Sequence, residues 1–399
     1  MPTLANRDIC TGCMACMNAC AKGALTFIKD DEGFLQPSVN AGLCVECGLC
    51  ERSCPEIQKQ YHRHDGTLDV YAGWNKTDRC VSSSGGAFSS IARYVIEKDG
   101  IVCGATLDEK LVCKHIVVDD VDGLNKLRGS KYIQSSIGMV YKEVKNHLLA
   151  NRYVLFTGTP CQVSGLKKYL GKDFEKLITI DLICHGVPSQ AVFSSYIGKL
   201  KKRLGLANNV GVLNYEFRRR DGWGFAPSVT TTMNNVRHLY GVDSLYMSAF
   251  DKAATFRKSC YTCHYAKTDR VGDFTIGDFW GLGKQGVPFK HDMTKGVSLL
   301  LINSDKGQTI MEQLGEDNFY VVRSLEEAIA RNHNLTKVSS YYKDRKNVIQ
   351  AFLDEDKSLD DIEKEYHLMD KSLKKRVSQL SMRLGLYDFL KKVGNLIGQ

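Results

Sequence analysis

Fifteen cysteines are spread through this 399-residue chain, and eight of them crowd into its first 54 residues. Cys10, Cys13, Cys16 and Cys20 follow the spacing C-x2-C-x2-C-x3-C, and Cys44, Cys47, Cys50 and Cys54 repeat it with Pro55 after the last. Such tight runs let three thiolates wrap one iron-sulfur cube while the fourth cysteine crosses to a second cube. The spacing therefore predicts two [4Fe-4S] clusters, one on Cys10, Cys13, Cys16 and Cys54, the other on Cys44, Cys47, Cys50 and Cys20. Zinc also uses C-x2-C pairs, but its sites pair two distant C-x2-C units rather than three cysteines within seven residues. One departure from the pattern is Ala21, which stands where a proline would follow Cys20.

Four further cysteines fall where the chain pattern brings chemistry together. Cys161 and Cys184 each follow an apolar run, and Cys260-Tyr261-Thr262-Cys263 supplies a C-x2-C pair in a loop-like stretch. Two thiols at a sheet edge and one such pair make the four ligands of a third cube. A thioredoxin-type redox pair is the rival reading for Cys260 and Cys263, although no strand leads into it at the expected place. Cys80, Cys103 and Cys113 lie in or beside apolar strands and read as buried small hydrophobes.

The elements that must hold these groups can be read from periodicity. Residues 24–28 and the segment around Gly33-Phe34 form a short hairpin under the first clusters. After a polar linker, 58–67, a strand covers 69–74. Ser82-Ser83-Ser84-Gly85-Gly86 then precedes a helix over 87–98, placing small residues at a helix N-terminus, where free N–H groups attract phosphate. An N-cap and turn explain the same residues without a ligand. Residues 101–107 and 111–118 read as paired strands, followed by a helix and the loop Arg128-Gly129-Ser130-Lys131-Tyr132. That loop suits a phosphate or a flavin edge, and equally a solvated turn. Residues 153–156 are a buried strand, 157–160 a turn, 161–170 a helix and 177–183 a second strand. This β-α-β unit makes the two strands parallel and sets Cys161 and Cys184 just past their C-terminal ends, the edge where open α/β sheets bind ligands.

Composition excludes collagen-like, disordered and disulfide-miniprotein classes, with 43% hydrophobic and 25% charged residues. No apolar run is long enough for a membrane span, and the N-terminus lacks the order of a signal peptide, so a cytoplasmic protein is expected. In a reducing compartment such cysteines point to metal ligation, not disulfides. Of the net charge of +9, the segment 371–399 carries seven basic residues against Asp388. No nucleic-acid partner is implied. The tail, with Leu380, Leu384, Leu386, Phe389, Leu390, Val393, Leu396 and Ile397, suits packing on the body or a partner subunit, and less well an anionic membrane surface.

Together, the ferredoxin-like runs, Ser-Ser-Ser-Gly-Gly (82–86), Gly-Ser-Lys-Tyr (129–132), Thr-Gly-Thr-Pro-Cys-Gln (157–162), Cys-His-Gly (184–186), Cys-Tyr-Thr-Cys (260–263) and Gly-Asp-Phe-Trp-Gly (277–281) resemble the beta subunit family of the deazaflavin coenzyme F-420 hydrogenases and dehydrogenases. The resemblance covers about residues 1–300. It implies an FAD-containing domain with its own [4Fe-4S] cluster on Cys161, Cys184, Cys260 and Cys263. It also implies FAD contacts from Ser82, Ser83, Ser84, Gly85, Gly86, Arg128, Gly129, Ser130, Lys131 and Tyr132, with Thr157 and Gly158 beside them. Lys131 would sit near the flavin, where a cation stabilises the reduced, anionic ring. His185 would relay protons or hydrogen-bond the cluster as a neutral ring.

The expected architecture is an α+β two-cluster ferredoxin domain (1–57), an α/β flavin- and iron-sulfur-binding domain with a partly parallel sheet (68–325), and a helical basic C-terminal segment (326–399). The expected activity is electron passage between a ferredoxin-like one-electron carrier, the clusters and FAD, with hydride transfer to or from a small organic molecule such as the deazaflavin. The alternative is an electron-transfer subunit of a larger redox complex whose catalytic chain is separate. Substrate, direction of electron flow and oligomeric state are left open by the sequence.

Overall fold

A computed structural model describes residues 1–58, 66–67, 69–207, 209–218, 227–285 and 287–370, with 372, 380–381 and 386 from the tail. The expected membrane or partner contact of the basic tail lies outside the described residues, apart from those few positions.

The N-terminal module holds a short helix, α1 (Ala15–Ala19), and an antiparallel hairpin of β1 (Leu25–Lys29) and β2 (Leu35–Val39). In each cysteine run the residue after the second cysteine, Met14 or Gly48, sits in the left-handed region at a helix N-cap, so the spacing repeat is also a backbone repeat.

The body is built on an eight-stranded sheet. Its first strands are β3 (Asp69–Asn75), β4 (Ile101–Leu107), β5 (Cys113–Val118), β6 (Val154–Gly158) and β7 (Leu177–Leu182). A separate three-stranded sheet follows, made of β8 (Val212–Glu216), β9 (Ser228–Thr231) and β10 (Val236–His238). The main sheet is completed by β11 (Phe274–Asp278), β12 (Ser298–Ile302) and β13 (Asn318–Arg323), in the order β13-β3-β12-β11-β7-β6-β4-β5. The run β11-β7-β6-β4 is parallel and the flanking pairs are antiparallel, giving the partly parallel sheet expected.

Helices cover both faces of the parallel core, so its strands are apolar on both sides. On one face, α2 (Ala87–Glu97) and α3 (Val121–Leu127) pack on Val102, Leu155 and Ile178. On the other, the helix Val140–Leu149 and α4 (Pro160–Leu170) pack on Cys103, Val154 and Phe156. Residues adjacent in sequence thus point to opposite layers, as the two-residue strand period requires. Further along, α5 (Gln190–Arg203), α6 (Arg345–Leu353) and α7 (Leu359–Tyr366) share one hydrophobic core with the small sheet. The segment after residue 326 therefore packs into the body along 345–368.

Buried polar contacts dock the N-terminal module on this body. Arg257, 1% exposed, donates to the Cys10 carbonyl (2.6 Å) and the Leu35 carbonyl (3.0 Å). Arg345 pairs with Glu32 at 2.6 Å, both side chains almost fully buried. Gly12 and Gly33 are close approaches: a Cβ on Gly12 would meet Gln134 Nε2 at 2.4 Å, and one on Gly33 would meet the Ala191 Cβ at 2.3 Å.

Three sequence expectations shift. Thr157 and Gly158 are the last residues of β6 and not a turn, because their ladder to Ile180 and Asp181 continues to the sheet edge. The second strand of the pair begins at Cys113, since Leu111 lies in a left-handed turn. Cys103 and Cys113 are buried as expected, but Cys80 is exposed in a short 3-10 turn, its sulfur 3.6 Å from Lys295 Nζ.

Candidate functional site

Cys10, Cys13, Cys16 and Cys54 line one small cavity, with Phe27, Pro37 and Glu56 completing its wall. Burial raises the Cys13 thiol, and the neighbouring Cys54, Cys16 and Cys10 raise it further, since four thiolates in one apolar site repel each other. Cys16, pushed up to about 12, feels the same burial and the same neighbours. Such a set ionises together only against a positively charged centre. In the second proposed set Cys47 is exposed, Cys20 and Cys44 are half-buried and Cys50 is buried.

The β6-α4-β7 unit creates the second sulfur set. Thr159 and Gln162 form a capping box at the N-terminus of α4, and Cys161 lies in that first turn. Cys184 follows β7, and Cys260 and Cys263 lie on a 3-10 turn, Lys258–Thr262, and at its end. Burial raises Cys184, as do Cys260, Cys161 and Cys263 beside it; Cys161 and Cys260 are each pushed up to about 12. The four cysteines distant in sequence are thus brought together. Among the described residues no three His, Cys, Asp or Glu side chains converge as ligands of a single metal ion.

Asp181 and Arg270 hold the frame of this set. Both are fully buried, and Arg270 Nη2 donates to Asp181 at 2.7 Å while reaching the Leu182 carbonyl, just before Cys184, and Nη1 reaches the Tyr265 carbonyl, just after Cys263. Asp181 in turn accepts from the Val271 and Gly272 amides.

A cavity of about 840 Å³ opens beside Cys184. The two small-residue loops meet at its wall: Ser130 N donates to Ser83 Oγ at 2.9 Å, and Arg128 Nη2 lies 2.7 Å from Asp78 Oδ2, which also receives Arg93. Gly85 is packed where a Cβ would stand 2.2 Å from the Gly73 carbonyl, and Gly86 caps α2 with φ +89°. The cavity therefore meets the N-terminus of an eleven-residue helix. Thr157, Gly158, Tyr132 and His185 also line it. Lys131 lines it too, but its Nζ donates to the Lys126, Leu127 and Arg128 carbonyls, capping the C-terminal end of α3. His185 is held through its own carbonyl, which accepts from Ser339 Oγ at 2.6 Å.

Sequence reasoning missed several members of this wall. His115 is buried and neutral, held between the Thr157 carbonyl and Ser135 Oγ, each 3.0 Å away, and burial lowers it to about 4. Its strand position marks it only as one polar residue among apolar neighbours. Behind the wall, Arg218 pairs with the lining residue Asp278 of the Gly-Asp-Phe-Trp-Gly segment and lies 5.6 Å from the Trp280 ring centre. The far wall comes from residues 332–340, anchored by the fully buried Leu335, which presents His333 and Lys337 at the opening.

The chain is 27% identical over 328 residues, 77% of its length, to the coenzyme F420-dependent sulfite reductase of Methanocaldococcus jannaschii. The match covers 46% of that protein, so the chain spans about half the length of the curated relative it matches. A solved chain from the xenon-derivatised F420-reducing [NiFe] hydrogenase complex of Methanosarcina barkeri superposes with a TM-score of 0.44 at 16% identity, over 75% of this chain and 91% of that one. Residues 9–56 match the 4Fe-4S dicluster domain, and residues 151–328 match the C-terminal domain of the coenzyme F420 hydrogenase/dehydrogenase beta subunit. One polypeptide thus carries a stretch that matches the 4Fe-4S dicluster domain and a stretch that matches the C-terminal domain of the coenzyme F420 hydrogenase/dehydrogenase beta subunit.

Proposed function

We propose that the protein is an iron-sulfur flavoprotein oxidoreductase that exchanges electrons between a one-electron carrier, such as a ferredoxin-like protein, and an organic two-electron substrate such as a deazaflavin. In this reading Cys10, Cys13, Cys16 and Cys54 hold one [4Fe-4S] cluster. Cys20, Cys44, Cys47 and Cys50 hold a second, and Cys161, Cys184, Cys260 and Cys263 a third. FAD, when bound, supplies the exchange between one-electron and hydride chemistry, which the clusters by themselves lack.

The observation that carries the reading is the 840 Å³ cavity, which joins the Ser82–Gly86 loop, the 128–132 loop and Cys184 in one space. Its chemistry fits a dinucleotide: a helix N-terminus with side-chain-free glycines for a pyrophosphate, and Tyr132, Phe250 and Phe256 as apolar wall for a ring system. Lys131, held by three carbonyls, places a fixed cation at that wall. His115 stays neutral and donates from Nε2 to the Thr157 carbonyl, fixing the end of β6 where the loops converge. The cavity supports a chain with a bound ligand of its own over an electron-transfer subunit that holds clusters alone.

The test is composition. Protein purified without oxygen is expected to carry about twelve irons, matching sulfide and one FAD per chain. Zinc with no visible absorbance would overturn the reading, and a full iron count without flavin would favour the electron-transfer subunit.

A further inference from the structure

The helix α4 touches both kinds of sulfur set. Cys161 lies in its first turn, and Gly165, one turn further along the same helix, faces the N-terminal module. A Cβ on Gly165 would stand 2.9 Å from Cys13 Sγ and 3.0 Å from Cys13 Cβ, closer than a real side chain tolerates. Residues four apart rise about 6 Å along a helix, so the backbone that Cys13 touches lies about one helical turn along α4 from Cys161.

The surroundings of this contact are apolar and buried. Cys13, Met14, Ala15, Tyr141, Val163, Leu166 and Tyr265 belong to one hydrophobic core, against which Cys161 and Cys263 also pack. Tyr141 donates to the Gln162 carbonyl at 2.7 Å, and its hydroxyl would be 3.2 Å from a Gly165 Cβ. Tyr265, two residues after Cys263, reaches Glu56, two residues after Cys54, at 3.3 Å. Asn18 donates to the Gly138 carbonyl at 2.8 Å, pinning α1 beside this core. Of the Cys20, Cys44, Cys47 and Cys50 set, by contrast, Cys47 is exposed and Cys20 and Cys44 are half-buried.

We infer that the Cys10, Cys13, Cys16 and Cys54 set is the one apposed to the Cys161 set, that the Cys20, Cys44, Cys47 and Cys50 set is the outer one, and that Gly165 is the positioning residue whose missing side chain sets the close approach. The inference rests on the proposed reading that both sets hold clusters. It fixes an order along the chain's own residues, from a surface set through an inner set to the set beside the cavity.

Electron paramagnetic resonance of the dithionite-reduced holoprotein, with iron counted on the same samples, tests it. The wild type is expected to show magnetic interaction between the body cluster and a neighbour. Gly165→Val is expected to keep its full iron and to weaken that interaction, and Gly165→Ala to weaken it less. Cys47→Ser, which disables the outer set, is expected to leave it in place. An interaction unchanged from wild type in Gly165→Val at full iron, or one that disappears in Cys47→Ser while the inner set keeps its iron, overturns the order. A wild type with only about eight irons removes the body cluster itself, and the inference fails with that part of the proposed function.

Discussion

Arg270 and Asp181 form a wholly buried ion pair, 2.7 Å between Nη2 and Oδ1, that ties the strand before Cys184 to the loop after Cys263. The four cysteines come from three separate stretches of chain, so their mutual placement depends on a link of this kind. Such a pair adds little over an apolar isostere, but removing one partner strands a buried charge at a cost of about 3–5 kcal/mol.

Arg270→Ala is therefore expected to lower the melting temperature sharply and to release the body cluster, about four irons, while the N-terminal clusters stay bound. Calorimetry and iron analysis on one preparation check it. Full iron retention would show that the pair does not organise the sulfur set.

Cys263→Ser carries a narrower expectation. Removing one ligand leaves the fold intact and costs about four irons, with the ferredoxin-type spectrum unchanged. Unchanged iron content would contradict the ligand assignment.

The cavity loops are bound together through Asp78, which accepts from Arg93 and faces Arg128 at 2.7 Å. Asp78→Asn keeps the shape and removes the charge between two guanidinium groups. Flavin affinity, followed by fluorescence titration, is expected to fall by about tenfold, equivalent to about 1.4 kcal/mol. Unaltered affinity would separate the two loops from the flavin site.

His115 gives a pH dependence with a definite sign. Its ordinary value is 6.5 and burial lowers it to about 4 in the folded chain, so between those values the unfolded state binds the proton that the folded state refuses. Its contribution is intact above pH 6.5 and is lost progressively as pH falls toward 4, by up to about 3 kcal/mol. His115→Gln is expected to flatten the stability curve over that window in denaturant titrations, relative to wild type. Parallel curves would refute the assignment.

Lys337 stands exposed on the 332–340 wall of the cavity. Lys337→Glu is expected to raise KM for an anionic deazaflavin acceptor by about fivefold, the scale of an exposed charge contact, with kcat and flavin content unchanged. A change in kcat alone would place the residue elsewhere in the reaction.

Much of the site was legible because its signals are local. Cysteine spacing marks ligands directly, and the switch from strand to helix around Phe156 and Cys161 announced the β-α-β edge. The capping box was also written in the sequence, as Thr159 and Gln162 at the required separation. Long-range contacts carry no such mark. Nothing near Glu32 points to Arg345, nor anything near Cys10 to Arg257, because those pairings depend on a docking that only the whole fold defines. Cys80 was misplaced because it was placed in or beside the preceding strand, whereas that strand ends at Asn75 and the polar stretch Lys76 to Arg79 carries the chain out to solvent. The far cavity wall escaped notice because residues 332–340 have no periodic or motif signal of their own.

The ion pair between Glu32 and Arg345 spans 313 positions of chain. At about 5–20 residues per second of synthesis, the N-terminal module emerges roughly 15 to 60 s before the residue that clamps it exists. Through that interval Glu32 lacks Arg345, and the part of the module's docking face that Arg345 covers is open. Protein made in the cell thus passes through a stage in which the cysteine-rich module is complete in sequence but not fully clamped. Protection of that stage from oxygen and from wrong partners falls to the cell.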